Sequence, residues 1–348
     1  MSRPGTSLDL VSGLALAGAA TLSVVRPRHV AAVAASPLVP FAARLVRDNA
    51  ARLLPERPRR RIRAPRLQRL RLWRWPITRQ AGRRLNGSAA MLAFSVLADS
   101  AVEHYRGAFQ NRAMYAPLVV ATLTLGASLF GRADTRSKKH QARDAIYAAA
   151  AATGFTGLGF HLYNILKRPG QWSWLNLFYA APIGAPMALA LAGLIGRGAE
   201  RVRDASPFRP AAILGWPAGR SLAAVAAAGL AGTVGEAGLL HFRGAYHNPA
   251  MMLPVTVPPV ASALLGAAAA CPGPRLNWIA RWWLRLTALL GFAGVGFHAY
   301  GVSRNMGGWR NWSQNVLNGP PLPAPPSFTG LALAGLAALS LMEEEIDG

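Results

Sequence analysis

The sequence has one cysteine, few acids and little charge of any kind. A lone Cys271 leaves no intramolecular disulfide, no four-cysteine zinc or iron–sulfur site and no CxxCH haem attachment, so any bound metal takes other ligands. Also missing are a nucleophile triad, a phosphate-binding glycine loop, and an HExxH or paired ExxH metal motif. Only 15% of the 348 residues are charged, and 14 Asp and Glu stand against 38 Lys and Arg. The hydrophobic class reaches 52% before its 35 glycines are added, above the roughly 45–50% that soluble domains show with glycine included. A soluble enzyme accounts for neither the apolar excess nor the basicity. Nucleic-acid binding would suit a formal charge of +24, but there is no finger, recognition-helix pattern or aromatic-interleaved basic groove. Basicity here reads as membrane orientation, and the fold class as an all-α polytopic membrane protein.

Six uncharged stretches and two apolar helices with isolated acids, about 87–105 and 219–241, place eight spans near 87–105, 113–131, 145–165, 177–196, 219–241, 250–270, 284–303 and 325–342. Each is close to the roughly 20 residues that cross a hydrocarbon core. The connections 132–143, 197–218 and 271–283 are rich in Arg and Lys, Arg143 and Arg203 among them, and are expected on the cytoplasmic side of an inner membrane. Positions 52–84 carry 13 Arg and a single acid, Glu56. This segment is expected to bind anionic lipid at the cytoplasmic face, with Leu70, Leu72, Trp73 and Trp75 entering the interface. Leu8–Val25 and Val30–Val46 are weaker apolar segments that read as a hairpin, an interfacial pair or an anchor, and less well as a signal peptide.

The chain repeats itself. HYRGAFQNRAMYAP at 104–117 and HFRGAYHNPAMMLP at 241–254 agree at eight of fourteen positions, 137 residues apart. GFTGLGFH at 154–161 and GFAGVGFH at 291–298 agree at six of eight with the same offset, and Trp172 and Trp309 continue it before a small insertion. Each copy holds four spans, an even number, so the two are expected to be parallel four-helix repeats related by a pseudo-two-fold axis along the membrane normal. The organisation read from this is an N-terminal extension over 1–84, a first repeat over 85–200, a cytoplasmic linker over 201–218, a second repeat over 219–342 and an acidic tail over 343–348.

His104, His161, His241 and His298 occupy corresponding helix ends, expected on the extracytoplasmic side. Imidazoles there can pack and hydrogen bond, relay protons, or supply axial nitrogens to haem iron. Gly157 and Gly294 lie one helical turn before His161 and His298, with Gly154 and Gly291 a turn further back, and this face offers either porphyrin clearance or close helix packing. The sequence leaves the pairing of the histidines open. Asp99 and Glu236, also 137 apart, put one carboxylate inside the first helix of each copy, which in hydrocarbon marks a candidate site. Arg106 and Arg243 follow two turns later, able to share that face, and Glu103 adjoins His104. Asn111 and Asn248 read as turn and capping residues before Pro117 and Pro254, or as parts of a re-entrant vestibule. Trp172, Trp174, Trp309 and Trp312 read as interfacial anchors.

Three functions fit these residues. The first is an electron-transfer module in which the four histidines ligate haem b, the leading cofactor, Arg106 and Arg243 neutralise its propionates, and a quinol or a partner subunit exchanges electrons. The second is a transporter or proton-coupled permeation protein whose crevice is lined by Asp99, Glu236 and the histidines. The third is an accessory or scaffold subunit of a membrane complex, docking through the Arg-rich segment and the proline-rich loop around Pro320–Pro326.

Overall fold

The structure is a computed structural model that describes residues 66–134, 140–205, 211–213 and 215–347. The expectations for Leu8–Val25, Val30–Val46 and the Arg-rich stretch before position 66 lie outside the described residues. Among the described residues eight long helices make up the body: α1 (Arg66–Arg106), α2 (Ala116–Ala133), α3 (Gln141–Leu166), α5 (Gly184–Arg203), α6 (Ala218–Arg243), α7 (Val257–Ala270), α8 (Pro274–Arg304) and α10 (Pro326–Asp347). Two short helices, α4 (Trp174–Tyr179) and α9 (Trp312–Asn318), interrupt the third connection of each half. The remaining regular structure is three 3₁₀ turns and a two-residue ladder pairing Ala212–Ile213 with Trp216–Pro217.

Among the described residues six helices are long and apolar enough to cross a membrane: Thr78–Arg106, Arg112–Ala133, Ala218–Arg243, Pro249–Ala270, Pro274–Arg304 and Pro326–Glu343. The chain is an all-α, multi-pass membrane protein. The other two expected spans, α3 and α5, are full-length helices that fall below that standard. Arg143 and Asp144 occupy the first turn of α3, and Arg197, Glu200, Arg201 and Arg203 the last turns of α5.

Three helix starts differ most from the sequence expectation, and one of them is α8, which begins at Pro274 rather than near 284, so that most of the connection expected over 271–283 is helical. The first helix does not begin near 87 but runs unbroken from Arg66, because Ala81 and Leu85 are buried and Gly82 lets α5 come close, its Cβ position lying 3.1 Å from the Ala199 carbonyl. The fourth span starts at Gly184 rather than 177, because Ala180–Ile183 is an extended break and α4 closes on itself before it. Ser173 caps α4 through the Asn176 N–H, and the Asn176 amide donates to the carbonyls of Pro169 and Gln171 at 3.0 and 2.9 Å.

Within the first half α1 packs on α2 and α5, and α3 on the same two; in the second half α6 and α8 pack on α7 and α10. The halves meet where α10 lies against α1 and α5 against α6. Helix association inside lipid depends on close backbones rather than on expelling water, and small residues dominate these seams: Ala89, Ala192, Ala226, Ala227, Ala261, Ala268 and Ala338 are fully or almost fully buried. Gly330 lets α10 approach α1 until the Ser88 hydroxyl donates to its carbonyl, and Ser95 donates to the Pro323 carbonyl at 2.5 Å.

Candidate functional site

All four histidines are held the same way. The Nδ1 of His104 lies 2.6 Å from the Met114 carbonyl and that of His241 2.8 Å from the Met251 carbonyl. His161 and His298 place Nδ1 on the carbonyls of Pro182 and Pro321, the second at 2.7 Å. A carbonyl only accepts, so each Nδ1 is the donor and each neutral ring carries its free lone pair on Nε2. The histidines neighbour one another within each half: the His241 and His298 ring centroids are 6.5 Å apart, and the His161 ring senses the charge of His104.

The local chain makes this possible by a tight turn after α1 and after α6. Ala108 and Phe109 take φ of 53° and 46°, and Ala245 and Tyr246 take 57° and 47°, a left-handed pair that side chains resist by roughly 1–2 kcal/mol per residue. The turn folds Phe109 against His104 and Tyr246 against His241, each edge to face at 6.2 Å. Burial pushes the Tyr246 hydroxyl above its ordinary range, and it donates to the Gly238 carbonyl at 3.2 Å. Asn111 and Asn248 then cap the next turn, accepting from the N–H of Ala113 and of Ala250, both at 2.9 Å. Trp172, Trp174, Trp309 and Trp312 are exposed around the same connections.

The glycines beside the histidines are occupied by protein. The Cβ position of Gly154 lies 2.6 Å from the Pro186 carbonyl, and that of Gly291 2.8 Å from the Pro325 carbonyl; Gly157 and Gly294 face the same two prolines. This face seats α5 and α10, so of the two uses open to it, porphyrin clearance or close helix packing, the structure shows helix packing.

The intramembrane acids come together without their arginines. Asp99 on α1 is within Coulombic reach of both Glu103 and Glu236. Glu236 on α6 reaches into the first half, where Oε1 accepts the Gly184 N–H at 3.1 Å at the start of α5. A carboxylate there meets an unpaired amide and the positive end of the helix dipole. The shared face expected for Asp99 and Arg106 is not formed, because Arg106 pairs with Glu103 at 2.7 Å, one turn away and nearer the surface. Arg243 likewise leaves Glu236, donating to the Phe178 carbonyl at 3.0 Å and lying over the Tyr179 ring.

A second polar cluster lies at the other end of the first half, among residues the sequence reading had assigned to connections or passed over. Arg143 and Arg203 were expected among loop charges; both are inside helices, 5% and 1% exposed. Arg143 bridges Asp134 at 3.1 Å and Glu200 at 2.7 Å. Glu200 also accepts from the Asn86 amide at 3.0 Å and faces Arg203 at 3.6 Å. Tyr147 donates to the Asn86 side-chain carbonyl and lies 3.2 Å from Ser128, Arg203 donates to the Gly131 carbonyl, and His140 stands 3.3 Å from Asp134. Polar residues at 86, 128 and 147 inside otherwise apolar stretches were the available signal.

Among the described residues no three His, Cys, Asp or Glu side chains gather as a metal site would require. Comparison with family models, with curated proteins and with solved structures gives no match.

Proposed function

We propose that this chain is a proton-coupled permeation or transport protein of the inner membrane, built from two parallel repeats about a pseudo-two-fold axis along the membrane normal. The carrying observation is Glu236, an acid of the second half, accepting the Gly184 N–H at 3.1 Å at the start of a helix of the first half, with Asp99 at the equivalent position of α1 inside the same electrostatic field. Two neighbouring carboxyls in a low-dielectric setting readily share a proton and release it to a third group. His104 and His241 follow Asp99 and Glu236 by five residues on the same helices, and their Nε2 atoms would offer such a proton acceptors further along.

The parallel arrangement is supported by the repetition of individual bonds. His104 and His241 bind carbonyls ten residues on, and the left-handed turns, the Asn caps and the Gly–Pro contacts all recur at 137 residues, or 139 beyond the insertion. Each half offers its first and last long helix to the other, α1 to α10 and α6 to α5, as a two-fold relation requires. A cytoplasmic Arg-rich segment bound to anionic lipid follows from the positive-inside bias of 52–84 and of the connections after α2, α5 and α7.

In proteoliposomes, wild-type protein is expected to dissipate an imposed pH gradient, and Asp99→Asn with Glu236→Gln to slow this at least tenfold. Flux equal to empty vesicles, or flux indifferent to both substitutions, would remove the proposal. The second reading, haem b in an electron-transfer module exchanging with quinol or a partner subunit, keeps one specific support: a fixed Nδ1–H with a free Nε2 is what an axial ligand needs. Against it stands the filling of the glycine faces by Pro186 and Pro325. The same preparation decides it, since a haem protein shows a Soret band that His161→Ala and His298→Ala abolish, whereas a colourless, metal-free preparation ends that reading.

A further inference from the structure

The buried ionic cluster of the first half has no counterpart in the second, and the replacement is systematic. Asn86, Ser128, Arg143, Tyr147, Glu200 and Arg203 correspond, 137 or 139 residues on, to Ala223, Leu265, Ala280, Leu284, Leu339 and Met342. All six replacements are buried. Contacts support the correspondence independently of numbering. The Cβ position of Gly82 meets Arg203 and that of Gly219 meets Met342; Gly196 faces the Tyr147 ring and Gly335 faces Leu284 and Leu265. Even the flanking bond is kept, Arg83 donating to the Arg132 carbonyl at 2.8 Å and Arg220 to the Ala269 carbonyl at 2.7 Å.

The second half therefore shows that four helices of this pattern close at this end with no buried ion cluster between them; the ion pair there, Arg281 of α8 with Glu343 of α10 at 2.6 Å, is partly exposed. Buried ion clusters seldom out-stabilise an apolar set of similar volume, so stability is a poor reason for the first half to carry one. What ions do differently is exchange partners. Arg143 on α3 holds the end of α2 through Asp134 and holds α5 through Glu200; Asn86 ties α1 to the same Glu200; Arg203 ties α5 back to α2 at Gly131. One carboxylate thus joins α1, α3 and α5. Arg143 Nε and Arg203 Nη1 are buried donors without a hydrogen-bond acceptor, so the cluster is not saturated. The helix carrying Glu200 is also the one whose first amide is held by Glu236, 16 residues earlier, roughly 24 Å along a helix.

We propose that this cluster is a charge latch: it seals the Arg-rich end of the first half at rest and opens in the working cycle, moved through α5 by events at Glu236, while the second half stays sealed. The role of the latch in a cycle rests on the permeation reading; its ability to open is tested apart from it.

The test uses the full chain in lipid, with Cys271→Ser as background and Ala150→Cys as reporter on the buried face of α3 beyond Tyr147. A membrane-impermeant maleimide applied from the Arg-rich side is expected to label the parent slowly and Glu200→Gln at least tenfold faster. A second variant transplants the six second-half residues and adds Asp134→Ser, the counterpart of Cys271→Ser, so that no buried carboxylate loses Arg143: Asn86→Ala, Ser128→Leu, Arg143→Ala, Tyr147→Leu, Glu200→Leu and Arg203→Met. It is expected to melt no lower than the parent, to label no faster, and to lose at least tenfold in proton flux. Labelling of Glu200→Gln at the parent rate would overturn the latch, as would a transplant that conducts like the parent or one that melts well below it, which would make the cluster structural. If the parent carries no proton flux, the permeation reading fails, while the labelling contrast still decides whether the cluster can open.

Discussion

Glu200 concentrates more of the fold's electrostatics than any other side chain described above, since two guanidinium groups and an amide converge on its two oxygens. Removing it alone leaves two buried guanidinium groups with reduced compensation, Arg143 with Asp134 and Arg203 with the Gly131 carbonyl. Breaking a buried ion pair on one side costs about 3–5 kcal/mol, so Glu200→Leu is expected to lower the melting temperature sharply. Adding Arg143→Ala and Arg203→Met is expected to restore most of the loss, and thermal unfolding of the single and triple variants in the same detergent measures it. Additive losses across the three substitutions would mean that the groups do not act as one cluster. The histidines and the two intramembrane acids were legible in the sequence because they recur at one offset. The Glu200 cluster was not, because repetition draws attention to what two copies share, whereas these residues are visible only as what the copies do not share. Arg143 and Arg203 were further masked by lying at helix ends, where positive charge ordinarily signals orientation.

Among elements, α5 and α10 show how much depends on a glycine face. The Gly154 Cβ position falls among the rigid backbone of α5, 2.6 Å from the Pro186 carbonyl and 2.7 Å from the Ala190 Cα, while that of Gly157 meets only the Pro186 ring at 3.4 Å. Overpacking in a close contact costs about 1–3 kcal/mol. Gly154→Ala is therefore expected to destabilise by that order and Gly157→Ala by far less, and Gly291→Ala to match Gly154→Ala in the other half. Denaturation in mild detergent checks the ranking, and equal effects at Gly154 and Gly157 would contradict this packing. Helix number and most helix ends were readable from runs of uncharged residues, since length and apolarity set them. The start of α5 was not, because it is fixed by Glu236 accepting the Gly184 amide from 52 residues away; no local capping residue announces it. The unbroken α1 escaped for a similar reason, as its basic first turns resemble a surface segment until Ala81 and Leu85 are seen to be buried.

For the whole molecule, the apolar excess, the scarcity of charge and the long uncharged stretches led to the right kind of protein, an all-α multi-pass chain, before any contact was known. Which helix meets which across the halves was not readable, because α1 against α10 and α5 against α6 joins residues at opposite ends of the chain in one case and near its middle in the other. The two halves also differ in a way that bears on how the protein is made. All four long helices of the second half are apolar enough to enter a bilayer, whereas in the first half only those of α1 and α2 are. Each helix of the second half is thus suited by its own apolarity to leave the translocation machinery as it is synthesised. The charged turns of α3 and α5 gain partners only once Asn86 and the α2 terminus are in place to receive them. Assembly of the first half is therefore expected to be the more concerted of the two.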